Sequence, residues 1–224
     1  MGVVPSQPSD PTAASASEAS PKRVRNARGN GSQLRTDLLN ATTAVLAGLG
    51  NDEVLSLRAV ARAAGVAPTA VYLHFQGRDD LISATVERQF QELSSFRDSA
   101  EDTAARAGGG PWERLQARTV AYVRWALQNP GAYRVLYGGK AIPRLSSRES
   151  LELGQRMLDR TDELVQELTD AQLARPTVSP SHAGLLIWAT CHGIVSLRID
   201  KDTIDWPDAE TLALEALEST VRPV

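Results

Sequence analysis

With 224 residues, 42% of them apolar and 23% charged, the chain has room for one large domain or two small ones and the composition of a globular protein. A formal net charge of −3 excludes a uniformly basic nucleic-acid coat, and the single cysteine, Cys191, excludes an internal disulfide and fits a reducing compartment. There is no apolar signal core at the N-terminus, and the most apolar stretch, Ala183 to Ile199, is 17 residues interrupted by Thr190, His192 and Gly193, short for a membrane span. The expectation is a cytoplasmic protein with no membrane partner.

Charge is unevenly spread. Residues 1–35 hold Lys22, Arg23, Arg25, Arg28 and Arg35 against Asp10 and Glu18, a net +3, so the other 189 residues carry −6. A basic arm on an acidic body points to local attraction to phosphate. Residues 1–33, poor in large apolar side chains and rich in Ser, Ala, Pro, Gly and Arg, read as a disordered arm. Its arginines suit either a solubilising tail or a reach into a minor groove.

Ordered structure is expected from Leu34, where Leu34, Leu38, Leu39, Ala41, Val45, Leu46 and Leu49 fall on a helical stripe that Asn51-Asp52 ends. Ser56 suits the N-cap of a second helix with Val60, Ala61 and Ala64 on its inner face, and Gly65 supplies the left-handed residue that closes it. A third helix starts at Pro68 and runs to about Phe75, with Val71 and Phe75 turned inward. Gln76-Gly77 breaks it. A fourth opens near Asp79 and continues through Leu81, Ile82, Val86, Phe90 and Leu93 to about Arg97, before a Gly108-Gly109-Gly110-Pro111 linker. Five more helical segments follow: Trp112 to Leu127, Ala132 to Tyr137, Ser150 to Ala174, Ser181 to Ile199 and Ala209 to Val221. No alternating strand pattern occurs, so the expected fold is all-α with about nine helices.

Two short helices about the Gly65-Val66 turn form a unit that lays its second helix in the major groove of DNA. The run Ser-Leu-Arg-Ala-Val-Ala-Arg-Ala-Ala-Gly-Val at 56–66, then Val-Tyr-Leu-His-Phe at 71–75 and Gln-Gly-Arg-Asp-Asp-Leu at 76–81, resembles the DNA-binding region of tetracycline-repressor-like (TetR) transcriptional regulators over residues 34–82. Further on, Trp188-Ala189-Thr190-Cys191-His192-Gly193 and Asn-Pro-Gly-Ala-Tyr-Arg-Val-Leu-Tyr at 129–137 resemble one C-terminal domain of that family, carrying Trp-x-x-x-His-Gly. The resemblance implies an N-terminal three-helix helix-turn-helix domain (34–82), a connecting helix and linker (83–110) and a ligand-binding and dimerisation domain (111–224). It also implies a homodimer that binds a palindromic operator in double-stranded DNA, usually as a repressor, and is released by a small-molecule effector. A helix-turn-helix regulator controlled by a protein partner is the alternative.

The residue types fit those roles. Thr69 at the start of the third helix can donate to or accept from a base edge, and Pro68 and Ala70 offer methyl-sized contacts to thymine. Ser56, Tyr72 and His74 flank that helix within reach of phosphate oxygens, though Tyr72 also suits packing and His74 an ordinary surface site. Arg58 has the planar fork for a phosphate or guanine, and Arg78 stands where the family usually has lysine. In the C-terminal half Tyr122, Trp125, Tyr133, Tyr137, Met157, Trp188 and His192 offer apolar walls with a few polar tips, which suits a hydrophobic or aromatic effector. Core packing is the plain alternative for each taken singly. Trp188 and His192, four apart, share one helix face. Leu186 and Leu217 represent the dimer interface on the last two long helices, and the effector is expected to tilt the fourth helix.

Catalysis finds no support. Cys191 and His192 are neighbours and point about 100° apart on a helix, which cannot make a nucleophile–base pair. The histidines at 74, 182 and 192 have no metal-ligand spacing, and Gly108–Gly110 lacks the Lys-Ser or Lys-Thr of a phosphate loop. No enzyme activity, cofactor or metal is expected.

Overall fold

The computed structural model describes residues 31–49, 55–137 and 147–224. Nine helices lie among them: α1 (Gly31–Gly48), α2 (Leu57–Ala63), α3 (Pro68–Val71), α4 (Arg78–Arg106), α5 (Pro111–Gln128), α6 (Pro130–Tyr137), α7 (Arg148–Asp170), α8 (Pro180–Asp200) and α9 (Ala209–Val221). The only bridge among the described residues is an isolated one between Ala174 and Pro223. The fold is all-α, and no described helix is long and apolar enough to cross a membrane. The arm expected to be disordered falls outside the described residues up to position 30; α1 itself begins at Gly31, ahead of Leu34.

The head packs α1, α2, α3 and the first turns of α4 around Leu38, Leu39, Val60, Ala61, Val71, Phe75, Leu81 and Ile82, all buried. Gly65, at φ 66°, makes the turn after α2, where the Val66 amide donates to the Ala61 carbonyl at 2.9 Å. That left-handed conformation costs a side-chain-bearing residue energy and glycine almost none. The third helix is shorter than expected. After Val71 the chain tightens, with the Leu73 amide on the Ala70 carbonyl and His74 on Val71, so residues 72–74 form turns.

Helix α4 is the spine, 29 residues and about 43 Å long at ~1.5 Å per residue. It extends nine residues past the expected end at Arg97 because its last third is held by ion pairs rather than an apolar stripe. Buried Glu101 receives Arg114 and Arg160, each at 2.6 Å, and Arg118 at 2.8 Å. Gly108, at φ 85°, turns the chain into α5, which packs against α4, α6, α7, α8 and α9 at the centre of the larger domain. Helix α7 ends at Asp170, short of the expected Ala174. The amides of Arg175 and Thr177 donate to the carbonyls of Arg222 and Thr220, and the Val224 amide to that of Leu173, stitching the α7–α8 connection to the chain end. Where α8 crosses α7, a Cβ at Gly184 would lie 2.6 Å from Asp162 Oδ1 and 3.0 Å from the Leu158 carbonyl, so only glycine fits.

Candidate nucleic-acid interface and effector site

The α2-turn-α3 unit buries Val60, Ala61 and Val71 and turns its polar edge to solvent. Pro68 occupies the first position of α3, where a missing N–H costs nothing, and Thr69 beside it is exposed. Arg58 is exposed on α2, and Ala70 is half-buried. Ser56 stands at the α2 N-cap, but its side chain makes no capping bond, which keeps its exposed hydroxyl off the helix amides. Tyr72 is 62% exposed and Leu73 78%, large apolar surfaces on a face the head does not cover.

His74 is half-buried, its ring near the start of α1 where a Cβ at Gly31 would lie 3.9 Å away. Arg78 pairs with Asp79 at 2.9 Å. An exposed pair of this kind is worth at most about 1 kcal/mol, so the guanidinium can exchange partners readily. Two residues join this surface that the sequence pattern did not single out. Leu73 follows from the 100° step between core residues Val71 and Phe75. Arg35 had been counted with the basic arm, yet it lies on α1 with its guanidinium 5.2 Å from the centroid of the Phe75 ring.

In the larger domain five of the seven expected pocket residues come together. Tyr133 Oη lies 2.7 Å from His192 Nδ1 and donates to the His192 carbonyl at 3.1 Å, while Tyr122 Oη is 3.4 Å from the same nitrogen. The Tyr137 ring is 5.0 Å from His192 and 6.1 Å from Trp188, and Trp188 is 5.5 Å from His192. These offset and edge-on contacts are the favoured ones for aromatic rings. Phe90 of α4 meets Tyr137 edge-on at 6.2 Å and belongs to the cluster too. Burial pushes the Tyr122 and Tyr137 phenols above their usual range and the His192 imidazole below its own. Cys191, 2% exposed, is pushed up to about 12 by burial, which removes thiolate reactivity.

The other two pocket residues take no part in these ring contacts. Met157 is buried on the α7 face that carries Gly154 and Thr161. Trp125 lines an open groove of about 800 Å³ between α4 and α5, with Arg88, Gln91, Phe96 and Asn129. Of the expected interface pair, Leu186 is exposed, but Leu217 is 1% exposed: the inner face of α9 packs on α5 and α8 of its own subunit. Leu217 is therefore core and not interface. The outward face of α8 carries Leu185, Leu186, Ala189 and Leu197, all exposed, and a Cβ at Gly193 would meet nothing within 4 Å.

Two family models match the chain. Residues 38–85 match the model of bacterial regulatory proteins of the tetR family, and residues 115–220 match that of the tetracyclin repressor-like C-terminal domain. The HTH-type transcriptional repressor KstR of Mycolicibacterium smegmatis is 34% identical over 96 residues, which are 43% of this chain and 45% of KstR, so the match spans under half of that relative. A Rhodococcus sp. RHA1 structure of unknown function is 30% identical, with a TM-score of 0.67 over 83% of this chain and 92% of that one. A TetR family transcription regulator from Marinobacter aquaeolei VT8 shares the fold at 18% identity, with a TM-score of 0.66 over 87% of this chain and 99% of that one. The chain belongs to the tetR family of bacterial regulatory proteins. Both matched models describe regulatory proteins, and neither describes an enzyme.

Proposed function

We propose that the protein binds a palindromic operator in double-stranded DNA as a cytoplasmic homodimer and represses transcription until a small hydrophobic or aromatic effector releases it. The observation that carries the DNA half is the two-sided segment made by α3 and the turn after it: Val71 is fully buried while Thr69, Tyr72 and Leu73 are exposed, as is Arg58 on α2. A helix with a sealed inner edge and a polar, aromatic outer edge fits the major groove, with Thr69 at the bases and Arg58, Ser56, Tyr72, His74 and Arg78 toward phosphate. Residues 34–82 act as the reading head, 83–110 as the connector and 111–224 as the effector and dimer domain.

Twofold pairing supplies the second head. The outward stripe on α8 sets two small residues between two large ones, Leu186, Ala189, Gly193 and Leu197, spaced three, four and four apart, so a second helix can approach closely there. Selection of bound DNA fragments by the purified protein, with sedimentation of wild type and Leu186→Glu, tests both halves. Enrichment of a palindrome and a shift of the variant toward monomer are expected. Absence of any enriched sequence, or an unchanged mass, overturns the corresponding half.

The effector reading rests on the aromatic cluster on α5, α6 and α8. Tyr133 and Tyr137 belong to α6, and α6 packs on α1, where a Cβ at Gly131 would lie 3.1 Å from Ala47 Cβ. A ligand that parts these rings moves α6 against the head, a second route beside tilting of α4. It releases DNA only if it prefers the displaced arrangement, by a coupling of about 1–3 kcal/mol.

A further inference from the structure

Four arginines are gathered where α4, α5 and α7 meet, and three of them are neutralised. Arg114, Arg118 and Arg160 all bind Glu101; Arg118, 1% exposed, also pairs with Asp98 at 2.6 Å, and Arg160 with Glu163 at 2.7 Å. Arg97 is the exception. It is 8% exposed, donates from Nη2 to Thr161 Oγ1 at 3.1 Å and, like Arg118, leaves Nε buried with no partner, but it has no carboxylate to offset its charge among the described residues. No ion pair to a described carboxylate reaches it, and the chain between α6 and α7, residues 138–146, holds no Asp or Glu. Burial and the charge of Arg118 push its guanidinium down to about 10, still cationic at neutral pH. A buried, uncompensated cation is a standing cost, and a merely structural residue at this site would be apolar or paired.

Its location tells what would compensate it. Phe90 and Arg97 lie two turns apart on one face of α4, as Gly154 and Thr161 do on α7. A Cβ at Gly154 would lie 3.7 Å from Phe90, and Thr161 binds Arg97. Phe90 touches Tyr137, which leads to Trp188 and His192, and buried Met157 lies between Gly154 and Thr161 on α7. The charge of Arg97 is also felt at Tyr137 and Cys191. Arg97 therefore stands at the inner end of the aromatic cluster, about 10 Å from the Phe90 end at ~1.5 Å per residue.

We propose that Arg97 is the anion receptor of the effector site and that the effector is a carboxylic acid on an apolar body about 10 Å long. This rests on the effector reading above. The guanidinium fork suits a carboxylate, and the Thr161 hydroxyl, which accepts from Arg97 and donates to the Met157 carbonyl at 3.0 Å, holds that fork in place. Because α4 carries the reading head at its other end, an acid seated on Arg97 also acts directly on the spine.

The test uses the full-length protein and four probes: decanoate and 4-phenylbutyrate, with the matched alcohols 1-decanol and 4-phenyl-1-butanol. Tryptophan fluorescence and thermal shift measure binding, and release of a selected DNA fragment measures response. Wild type is expected to bind each acid at least ten-fold more tightly than its alcohol. Arg97→Met should abolish that preference while melting no lower than wild type without ligand, and Arg97→Lys should keep part of it. Equal binding of acids and alcohols by wild type overturns the anion receptor but leaves the aromatic site standing. Binding of none of the four overturns both. An acid preference that survives in Arg97→Met overturns the assignment to this residue.

Discussion

The reading head and the effector domain place their polar chemistry on opposite sides of their cores. In the head, arginines and hydroxyls ring the outside of a small apolar interior, and the groups proposed for DNA can be changed without touching what holds the helices together. In the effector domain the charged groups are inside: Arg97, Glu101 and Arg118 are all buried between α4, α5 and α7. There, stability and response share the same residues. The proposed grip on a rigid external polyanion needs only presented groups, whereas the proposed response to a small molecule needs polar partners kept within.

That contrast breaks most visibly at Phe75. Its ring is buried at the centre of the head and carries Arg35 on its face. Phe75→Ala is expected to cost the head about 3–4 kcal/mol through lost burial and the cavity left behind. Calorimetry should show the loss as an early head transition separated from that of the larger domain. A single transition at the wild-type temperature would deny the head an independent apolar core.

Next in size is Glu101→Gln, expected to cost about 3 kcal/mol because Arg118 loses its buried partner and Arg114 and Arg160 lose a shared one. The sign with pH follows from the carboxyl group. Against burial, which acts upward, hydrogen bonds from Arg160 and Arg114 and the charge of Arg118 bring it down from the ordinary 4.5 to about 2. Its contribution is complete above about pH 4.5 and is lost as the pH falls toward 2. Urea unfolding of wild type and variant should therefore differ at pH 7 and converge at acid pH. A constant difference across that range would place the loss in packing and not in charge.

Gly184→Ala comes third, at about 2 kcal/mol, since the new methyl meets Asp162 and the Leu158 backbone. The Gly184 amide donates to Asp162 Oδ1 at 2.6 Å, so the variant also stretches that bond. A thermal melt near that of wild type would mean α7 and α8 can separate at no cost, and the domain would be looser than its contacts imply.

How much of this the sequence shows depends on which force holds each element. Helix α9 was bounded correctly because an apolar stripe and flanking breakers define it, and the turn at Gly65 because only one conformation serves there. The end of α4 was missed because residues 98–106 are held by ion pairs with α5 and α7, and helical periodicity registers apolar faces only. Arg97 and Arg118 were invisible for the same reason: nothing local marks an arginine as buried. Leu217 and Trp125 carried the right residue types but the wrong neighbours, since a stripe shows that a face is covered and not what covers it. Tyr122, Tyr133, Tyr137, Trp188 and His192 do gather, because aromatic residues on neighbouring helices have few other places to go.

The smallest expected effect is the sharpest for the comparison. Tyr72 caps the end of α3 with its ring left in solvent by the head, so its removal costs the fold almost nothing. If its hydroxyl meets a phosphate, Tyr72→Phe should weaken binding of the selected DNA fragment by about 1 kcal/mol, a five-fold change, without altering the melting temperature. Tyr72→Ala should lose somewhat more, because the ring also shields the contact from water. Both losses should be the same for every sequence bound, since phosphate contacts position the helix and do not read it. A sequence-dependent loss would move Tyr72 from the backbone to the bases. An unchanged affinity in both variants, with the fold intact, would make the exposed ring a surface feature and leave Arg58 and Thr69 to hold the helix in the groove.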